Sequence, residues 1–497
     1  MLSQASGLRL GAAALRGALP WQALTAALLL AALVLGVLVS VPDVTWLIYA
    51  GEKLLDGHRL YADVLEVNPP LSVLAYVPAI GIARLVGAPP EAVVAGLVVL
   101  GAVGSLTLAG AILKPLIGQD LVRGWMLAAT GAFVLGVLPA AAFGEREHLA
   151  VICLLPFLCL CMARAEGVRA AAALAVLAGV GLGLAVCLKP HVAAAAGLPA
   201  LWAMRRTARF APWRQAELLT GALVMVAYAA LILLAFPDYL NRVAPVVRDV
   251  YLPIRAPLWQ LLVLPGVPLA VGSVAVARVM RLERRWLAAP LMAAVGGAIA
   301  FAVQAKGFPY HAYPMLAFTA LGVLGAAAMT PPSRARAWSR LDRLMLLAPP
   351  VAAMLWLFSN IDSDALARQV RALGPSPRLI AVTGNLGIGM AVARAAGADW
   401  VGSQCSQWIS EGVLRREEAE PLGAGERARL DGLLAEDRSR LAGDIMRGRP
   451  QVVLFDRKKF DWRAWALHDP VIAGAMKGYR LTATVKGVEV WAANRPA

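Results

Sequence analysis

Long apolar runs alternate with short polar segments over most of the chain, and this alternation stops near residue 360. Each run approaches the roughly 20 residues that an α-helix needs to cross a bilayer. The runs lie at 21–41, 71–87, 92–113, 124–142, 149–163, 170–188, 190–204, 217–236, 258–277, 287–303, 313–330 and 344–358. The pattern predicts an all-α polytopic membrane domain over residues 1–359.

The remaining segment, residues 360–497, has dense charge and no run long enough to span a membrane. It contains two stretches typical of buried strands and one typical of a hairpin. These are RLIAVTG at 378–384, QVVLF at 451–455 and RLTATVKGVEVWAA at 480–493. The segment is therefore predicted to be a small α/β domain at the C-terminus.

Composition supports the membrane class, because 60% of the residues are hydrophobic and the mean hydropathy is +0.67. Soluble domains are closer to half apolar. The net charge of +16 could indicate nucleic acid, but its placement argues against that partner. Arginines concentrate in the short loops 205–214, 278–285 and 334–343, which are two apolar runs apart. By the positive-inside rule these loops are predicted to be cytoplasmic.

The same rule places the N-terminus, with Arg9 and Arg16, on the cytoplasmic side. The first apolar run has no obvious cleavage site and is predicted to be a retained helix. The loop at 42–70 and the C-terminal α/β domain are then extracytoplasmic. Three apolar runs lie between residues 71 and 142, but an even number of crossings is needed to join two extracytoplasmic loops. Run 71–87, which is short and contains Pro78, is therefore predicted not to cross. About 11–13 transmembrane helices are expected.

Cysteine placement gives no sign of a metal or disulfide framework. Four of the five cysteines lie in apolar runs, and Cys405 is alone in the C-terminal domain. No CxxC spacing occurs. The sequence requires no cofactor, and it leaves the question of a divalent metal open.

Polar residues collect in stretches that this topology places on one face, the extracytoplasmic side. Each alone could be a membrane-interface anchor, but several clusters on one face suggest a site. The stretches are 42–70 beginning at Asp43, in which apolar spacing predicts a helix at 44–57, GEREH at 144–148, CLKPHV at 187–192 and QAKGFPYHAYP at 304–314. The Pro-rich segment 242–257, which contains Arg255, is predicted to be a loop on the same side.

These residue types fit glycosyl transfer. A carboxylate can take the proton of an acceptor hydroxyl, and cations can stabilise a departing phosphate. The catalytic candidates are Asp43, as general base, and Glu147. The binding candidates are Arg146, His148, Lys189, His191, Arg255, Lys306, Tyr310 and His311.

The first of these stretches resembles the first external loop of GT-C glycosyltransferases. Asp43 follows the first apolar run, and GEKLLDGHRLYAD and EVNPPL come after it. The resemblance is to the mannosyltransferase and aminoarabinose-transferase type, which uses polyprenyl-phosphate sugars. It places the base at Asp43, a further, substrate-binding acid at Glu66 before Pro-Pro, and the acid of a second external motif at Glu147.

The resemblance implies a GT-C-like membrane domain and a transferase of the bacterial inner membrane. Its partners would be a polyprenyl-phosphate-linked sugar donor, the lipid bilayer, and a saccharide, lipid or protein acceptor, with no nucleic acid. Two other classes stay open: a transporter of lipid-linked saccharide, and a membrane scaffold or sensor with an external binding domain. A transporter would place ionisable residues in the middle of its helices, whereas here they lie at the ends.

Overall fold

A computed structural model describes residues 41–207, 215–358, 364–419 and 421–494. The first predicted span therefore lies almost entirely outside the described residues. In the first part of the chain the helices are α1 Pro42–Leu55, α2 Leu71–Leu74, α3 Val77–Val86, α4 Pro90–Ile117, α5 Leu121–Ala132, α6 Arg146–Ala165, α7 Ala172–Leu188, α8 Ala193–Arg206 and α9 Ala216–Ala235. The further helices are α10 Ala244–Val246, α11 Leu258–Val263, α12 Gly266–Val279, α13 Arg284–Gln304, α14 Tyr313–Met329, α15 Pro332–Arg336, α16 Arg340–Phe358, α17 Asp364–Arg371, α18 Met390–Ala396, α19 Trp408–Ala419, α20 Ala424–Gly448, α21 Trp462–Leu467 and α22 Pro470–Met476.

Shorter turns join some of these helices. They are 3₁₀ turns at Ala140–Ala142, Pro190–Val192 and Pro309–Ala312, and wide π-type turns at Phe133–Val137, Tyr239–Val243 and Val247–Tyr251. The strands are β1 Arg378–Val382, β2 Asp399–Trp400, β3 Val452–Asp456, β4 Tyr479–Val485 and β5 Val488–Ala493.

The described chain divides into two compact units. The membrane unit contains residues 92–230 and 256–358, and the sheet unit contains residues 41–91, 231–255 and 364–494. The loop at 42–70 thus belongs to the same unit as the C-terminal α/β segment, a grouping that local sequence pattern does not reveal.

The membrane unit is built from the apolar helices that the hydrophobic pattern predicts. Six described helical segments are long and apolar enough to cross a bilayer, and the membrane unit also contains the shorter apolar helices Leu121–Val137, Ala172–Leu188 and Gly266–Val279. The spans at α6 and at Pro309–Met329 are 83% and 89% buried, whereas the span at α9 is only 6% buried. The first two therefore form the core of the unit, and α9 presents an apolar surface suited to lipid.

Close helix contacts in this core depend on glycine. A Cβ atom at Gly296 of α13 would lie 2.3 Å from the backbone of Ala195 in α8. A Cβ atom at the adjacent Gly297 would lie 2.7 Å from the backbone nitrogen of Met315 in α14. Two neighbouring glycines thus let α13 pack directly against two helices, as small residues do in membrane bundles.

The sheet unit contains one five-stranded sheet in the order β2-β1-β3-β5-β4. Strand β1 is parallel to β2 and β3, and β5 is antiparallel to β3 and β4. The predicted strands and hairpin are confirmed. The hairpin turns at Lys486 and Gly487, whose φ angles of 48° and 79° are those of a turn that follows the strand twist.

The loop at 42–70 is anchored within the sheet unit. The predicted helix at 44–57 forms as α1, and its residues Trp46, Leu47 and Ile48 are buried. Beyond α1, the Leu65 amide donates to the Ser403 carbonyl at 2.8 Å. Because the Ser403 hydroxyl in turn donates to Asp444 at 2.7 Å, the loop has a fixed place on the α/β segment.

Residues 242–257 are predicted to form a loop, and the structure corrects this. Residues 239–251 are helical, with two π-type turns around α10. Pro245 lies at the start of α10, where its missing N–H is tolerated. Val250 is fully buried and its carbonyl lies close to Gly412 of α19, so packing inside the sheet unit overrides the turn-forming composition.

Candidate functional site

A buried charge cluster lies at the N-terminal end of α6 in the membrane unit. The Lys189 Nζ is 2.6 Å from the Glu147 Oε1, and the His311 Nε2 is 3.5 Å from the same oxygen. Glu147, Lys189 and His311 are 1%, 8% and 4% exposed. We name these three residues the charge cluster. Three of the residues singled out from sequence therefore meet around one carboxylate oxygen.

The three side chains of the charge cluster are positioned by the ends of helices. Glu147 is in the first turn of α6, Lys189 follows the last residue of α7, and His311 lies in the 3₁₀ turn before α14. Lys189 has an extended backbone, with φ of −143°, between α7 and the next 3₁₀ turn. Such breaks at membrane depth are tolerated where the backbone is buried in protein or lines a cavity, which allows polar groups from three helices to meet.

Gln304 also forms a hydrogen bond with Lys189. Its Oε1 accepts a hydrogen bond from the Lys189 Nζ at 3.4 Å, and its own Nε2 donates to the Ala300 carbonyl at 3.2 Å. The ammonium therefore lies between a carboxylate and an amide oxygen. The Glu147 Oε2 and the His311 Nδ1 are buried without a hydrogen-bond partner among the described residues, so the cluster has polar capacity left for another molecule.

Cations surround this cluster. The cations of Arg146, Lys189 and Lys306 interact electrostatically with His311, and the imidazole of His191 lies in the same surroundings. Arg146 is 5% exposed, Lys306 is half-buried and His191 is exposed. One carboxylate thus lies among several positive groups, and the arrangement favours an anionic ligand.

Aromatic rings close one side of the cluster. The Tyr310 ring lies 4.5 Å from that of His311, and the Phe308 ring stacks on Tyr310 at 5.6 Å. Phe308 is 44% exposed. Sequence reasoning missed Phe308, because a single phenylalanine in a Gly/Pro turn has no periodicity to mark it.

His148 has a structural role, although the sequence singled it out as a binding candidate. Its Nδ1 accepts from the Gly144 amide at 3.0 Å, and its Nε2 lies 2.7 Å from the Leu135 carbonyl oxygen. Because a carbonyl can only accept, Nε2 carries the proton. Both ring nitrogens are engaged, and the fully buried ring holds the turn that starts α6.

The other candidates belong to the sheet unit. Glu66 is 1% exposed, and its two oxygens accept from the Trp46 indole and the Asn68 amide. It therefore fixes the loop that precedes Pro69-Pro70. Asp43 is half-buried in the first turn of α1, and Arg255 is exposed after the helical segment 239–251.

A buried thiol lies in the surroundings of these two acids. Burial raises the pKa of Cys405, and the negative potentials of Glu66 and Asp43 act in the same direction. The thiol therefore stays protonated and unreactive at neutral pH. Among the described residues no group of three His, Cys, Asp or Glu side chains could hold a metal ion.

The fold is similar to that of solved membrane proteins. ArnT from Cupriavidus metallidurans, in its apo state and bound to undecaprenyl phosphate, matches with a TM-score of 0.56 and 14% identity over 96% of this chain and 98% of that chain. The arabinofuranosyltransferase AftD from Mycobacteria matches at 0.44 and 14%, over 95% of this chain and 40% of that chain. No protein-family model and no curated protein sequence matches. The likeness to ArnT shows a GT-C type of fold, and the long apolar helices are those of an integral membrane protein.

The Glu147–Lys189 pair should be energetically coupled. Glu147→Gln and Lys189→Met should each lower the free energy of unfolding by about 3–5 kcal/mol, because each leaves the other buried charge without its ion-pair partner. The double variant should recover part of this loss. Thermal unfolding of the purified full chain in one detergent measures all three.

A control for this cycle lies elsewhere in the membrane unit. Glu217 is 2% exposed and paired with Arg164 at 3.3 Å. Combining Lys189→Met with Glu217→Gln should give additive losses. Additive losses in the Glu147–Lys189 cycle as well would show that the two groups do not stabilise each other.

Proposed function

We propose that the protein is a membrane glycosyltransferase that moves a sugar from a polyprenyl-phosphate carrier to an acceptor hydroxyl. The observation that carries this proposal is the charge cluster of Glu147, Lys189 and His311 with its surrounding cations. The GT-C type of fold supports it, as does the undecaprenyl phosphate bound by ArnT. A saccharide, a lipid or a protein could supply the acceptor hydroxyl.

The cluster has the chemistry needed for a lipid-linked phosphate. A leaving phosphate gains negative charge as its bond to the sugar breaks, and fixed cations at a dry helix end stabilise that charge strongly. Lys189 acts as a point charge held by Glu147, and Arg146 can offer a planar fork of donors. Lys306 extends the positive field.

The reaction also needs a base. The acceptor oxygen attacks the anomeric carbon, the bond from that carbon to the phosphate oxygen breaks, and the electron pair leaves with the phosphate. The proton of the acceptor hydroxyl passes to a carboxylate, for which we propose Asp43. Glu66 fixes the conformation of the loop at 42–70, which begins at Asp43, through its bonds to Trp46 and Asn68.

The proposed face is extracytoplasmic, in the bacterial inner membrane. The arginine-rich loops between apolar runs are the support for it. The compact units divide the chain differently from the proposed boundary at residue 359, since residues 41–91 and 231–255 group with 364–494. All of these sheet-unit segments are extracytoplasmic under the proposed topology.

Asp43→Asn should lower turnover by about 10²–10⁴-fold, because the amide keeps size and hydrogen bonding but cannot take the proton. Sugar transfer from a polyprenyl-phosphate donor by the purified full chain measures this, with donor binding recorded separately and expected to persist. The control is Asp56→Asn, since Asp56 is exposed near the end of the same helix and pairs with Arg84. Transfer near the wild-type rate in Asp43→Asn would move the role of base to Glu147.

Lys306→Ala should weaken binding of polyprenyl phosphate about tenfold, because one partly desolvated cation is lost from the field around the phosphate. Acceptor binding should change less. Titration of the lipid into the purified chain measures the affinity, and Lys477→Ala at an exposed site of the sheet unit is the control.

The phosphate assignment is tested on all of the proposed phosphate contacts together. These contacts are Lys189, His191, Arg255, Lys306 and His311. Unchanged donor affinity in every single variant of this set would remove the phosphate assignment.

The orientation is tested with a periplasm-dependent enzyme reporter. A fusion after Arg371 should be active, because the residues that follow are proposed to be extracytoplasmic. A fusion after Arg206 should be inactive, because the following loop is proposed to be cytoplasmic. The opposite pair of results would reverse the proposed face for every site residue.

A further inference from the structure

A second feature of the membrane unit lies away from the charge cluster. A cavity of ≈ 560 Å³ is bounded by α4, α5, α6, α13 and α14. Its wall includes Leu158 and Met162 of α6. Leu155, the wall residue of α6 nearest to Glu147 along the chain, is eight residues beyond it, which corresponds to about 12 Å at 1.5 Å per residue. The cavity is therefore distinct from the site of the proposed function.

The wall of this cavity is apolar in effect. The hydroxyls of Thr107 and Thr130 are already bonded to the Val103 and Met126 carbonyls of their own helices, each at 2.8 Å. The volume falls in the range of about 300–1,000 Å³ that small-molecule sites occupy. An apolar cavity of this kind excludes water and favours a hydrocarbon ligand.

One end of the cavity has a single charge. Among the described residues, Lys114 is the only charged residue in the wall, and it is exposed near the end of α4. Within residues 41–207 and 215–358 no acid forms an ion pair with it, whereas the nearby Arg123 is paired with Asp120 at 3.2 Å. An apolar cavity with an uncompensated cation matches a ligand that has a hydrocarbon chain and an anionic head.

Trp286 adds a polar group to the same wall. It is 3% exposed, and its indole nitrogen has no hydrogen-bond partner among the described residues. A buried donor left without an acceptor is costly. An ester or phosphate oxygen of a bound lipid would supply that acceptor.

We propose that this cavity binds an acyl chain of an anionic phospholipid, with the lipid head at Lys114. The lipid stabilises the packing of α4, α5 and α6 and takes no part in sugar transfer. The proposal does not depend on the proposed function, because its residues and its readout are separate from those of the charge cluster.

Quenching of Trp286 by brominated lipid tests the proposal. The purified full chain is reconstituted in phosphatidylcholine bilayers that contain phosphatidylglycerol with brominated acyl chains. The difference in fluorescence between the wild type and Trp286→Phe isolates the signal of this tryptophan. We expect quenching by brominated phosphatidylglycerol at about fivefold lower mole fraction than by brominated phosphatidylcholine.

Two variants distinguish the cavity from the surrounding bilayer. Gly110→Leu places a side chain in the cavity, where a Cβ atom meets nothing within 4 Å, and should reduce the quenching. Gly104→Leu is the control, because Gly104 is on the same helix, has equally open surroundings and is outside the wall. The exposed variant Lys114→Gln should fold normally and remove the preference for phosphatidylglycerol.

Three results would overturn the proposal. The first is equal quenching in Gly110→Leu and Gly104→Leu, and the second is no preference for the anionic lipid in the wild type. The third is relief of the quenching by polyprenyl phosphate at equal concentration, which would assign the cavity to the carrier lipid.

Discussion

A carboxylate inside a bundle of apolar helices must be paired, and Glu147 imposes this constraint on the membrane unit. Removing an ion from water costs several kcal/mol even after the protein relaxes. Lys189 and His311 share one oxygen of Glu147 at 2.6 and 3.5 Å, so each compensates for the burial of the carboxylate. The arrangement is therefore weak as a source of stability. It does fix where three helix ends meet, because moving Lys189 away from Glu147 would leave a buried charge without its ion-pair partner.

The pairing explains why regular helix stops at these positions. Lys189 could not reach Glu147 if α7 ran directly into α8, and His311 lies in a 3₁₀ turn that leads into α14. The preceding chain reverses through Ala305 and Gly307, which have φ angles of 49° and 70°. A left-handed alanine is strained, and the close packing of α13 through its glycines offers the rigid support that such a residue needs. Strain, helix breaks and charge thus coincide at one end of the membrane unit.

The sequence predicted the helices and strands better than the contacts between them. Apolar run length gave the spans, and alternation with Lys486-Gly487 gave the hairpin, because both depend on local residue order. The meeting of Glu147, Lys189 and His311 in one place followed from topology, since helix ends on one face are neighbours. That both His148 nitrogens would bond to backbone could not be predicted, because backbone groups such as the Leu135 carbonyl leave no mark in the side-chain pattern. The helical form of residues 239–251 was missed for a similar reason, since packing against Gly412 outweighs its proline and charges.

The middle of α6 also bears on function. Between Glu147 and the cavity at Met162, Ser105 of α4 donates to the Ile152 carbonyl at 2.6 Å, and a Cβ atom at Gly181 of α7 would lie 2.2 Å from the Cys153 carbonyl oxygen. Two neighbouring helices therefore contact the backbone of α6 directly at its midpoint. A carrier that moves saccharide across the membrane needs polar groups near the bilayer centre and room for the substrate to pass them. Here the middle of this buried helix is apolar, with its charges confined to its two ends. This placement favours chemistry at a membrane face over passage through the membrane unit.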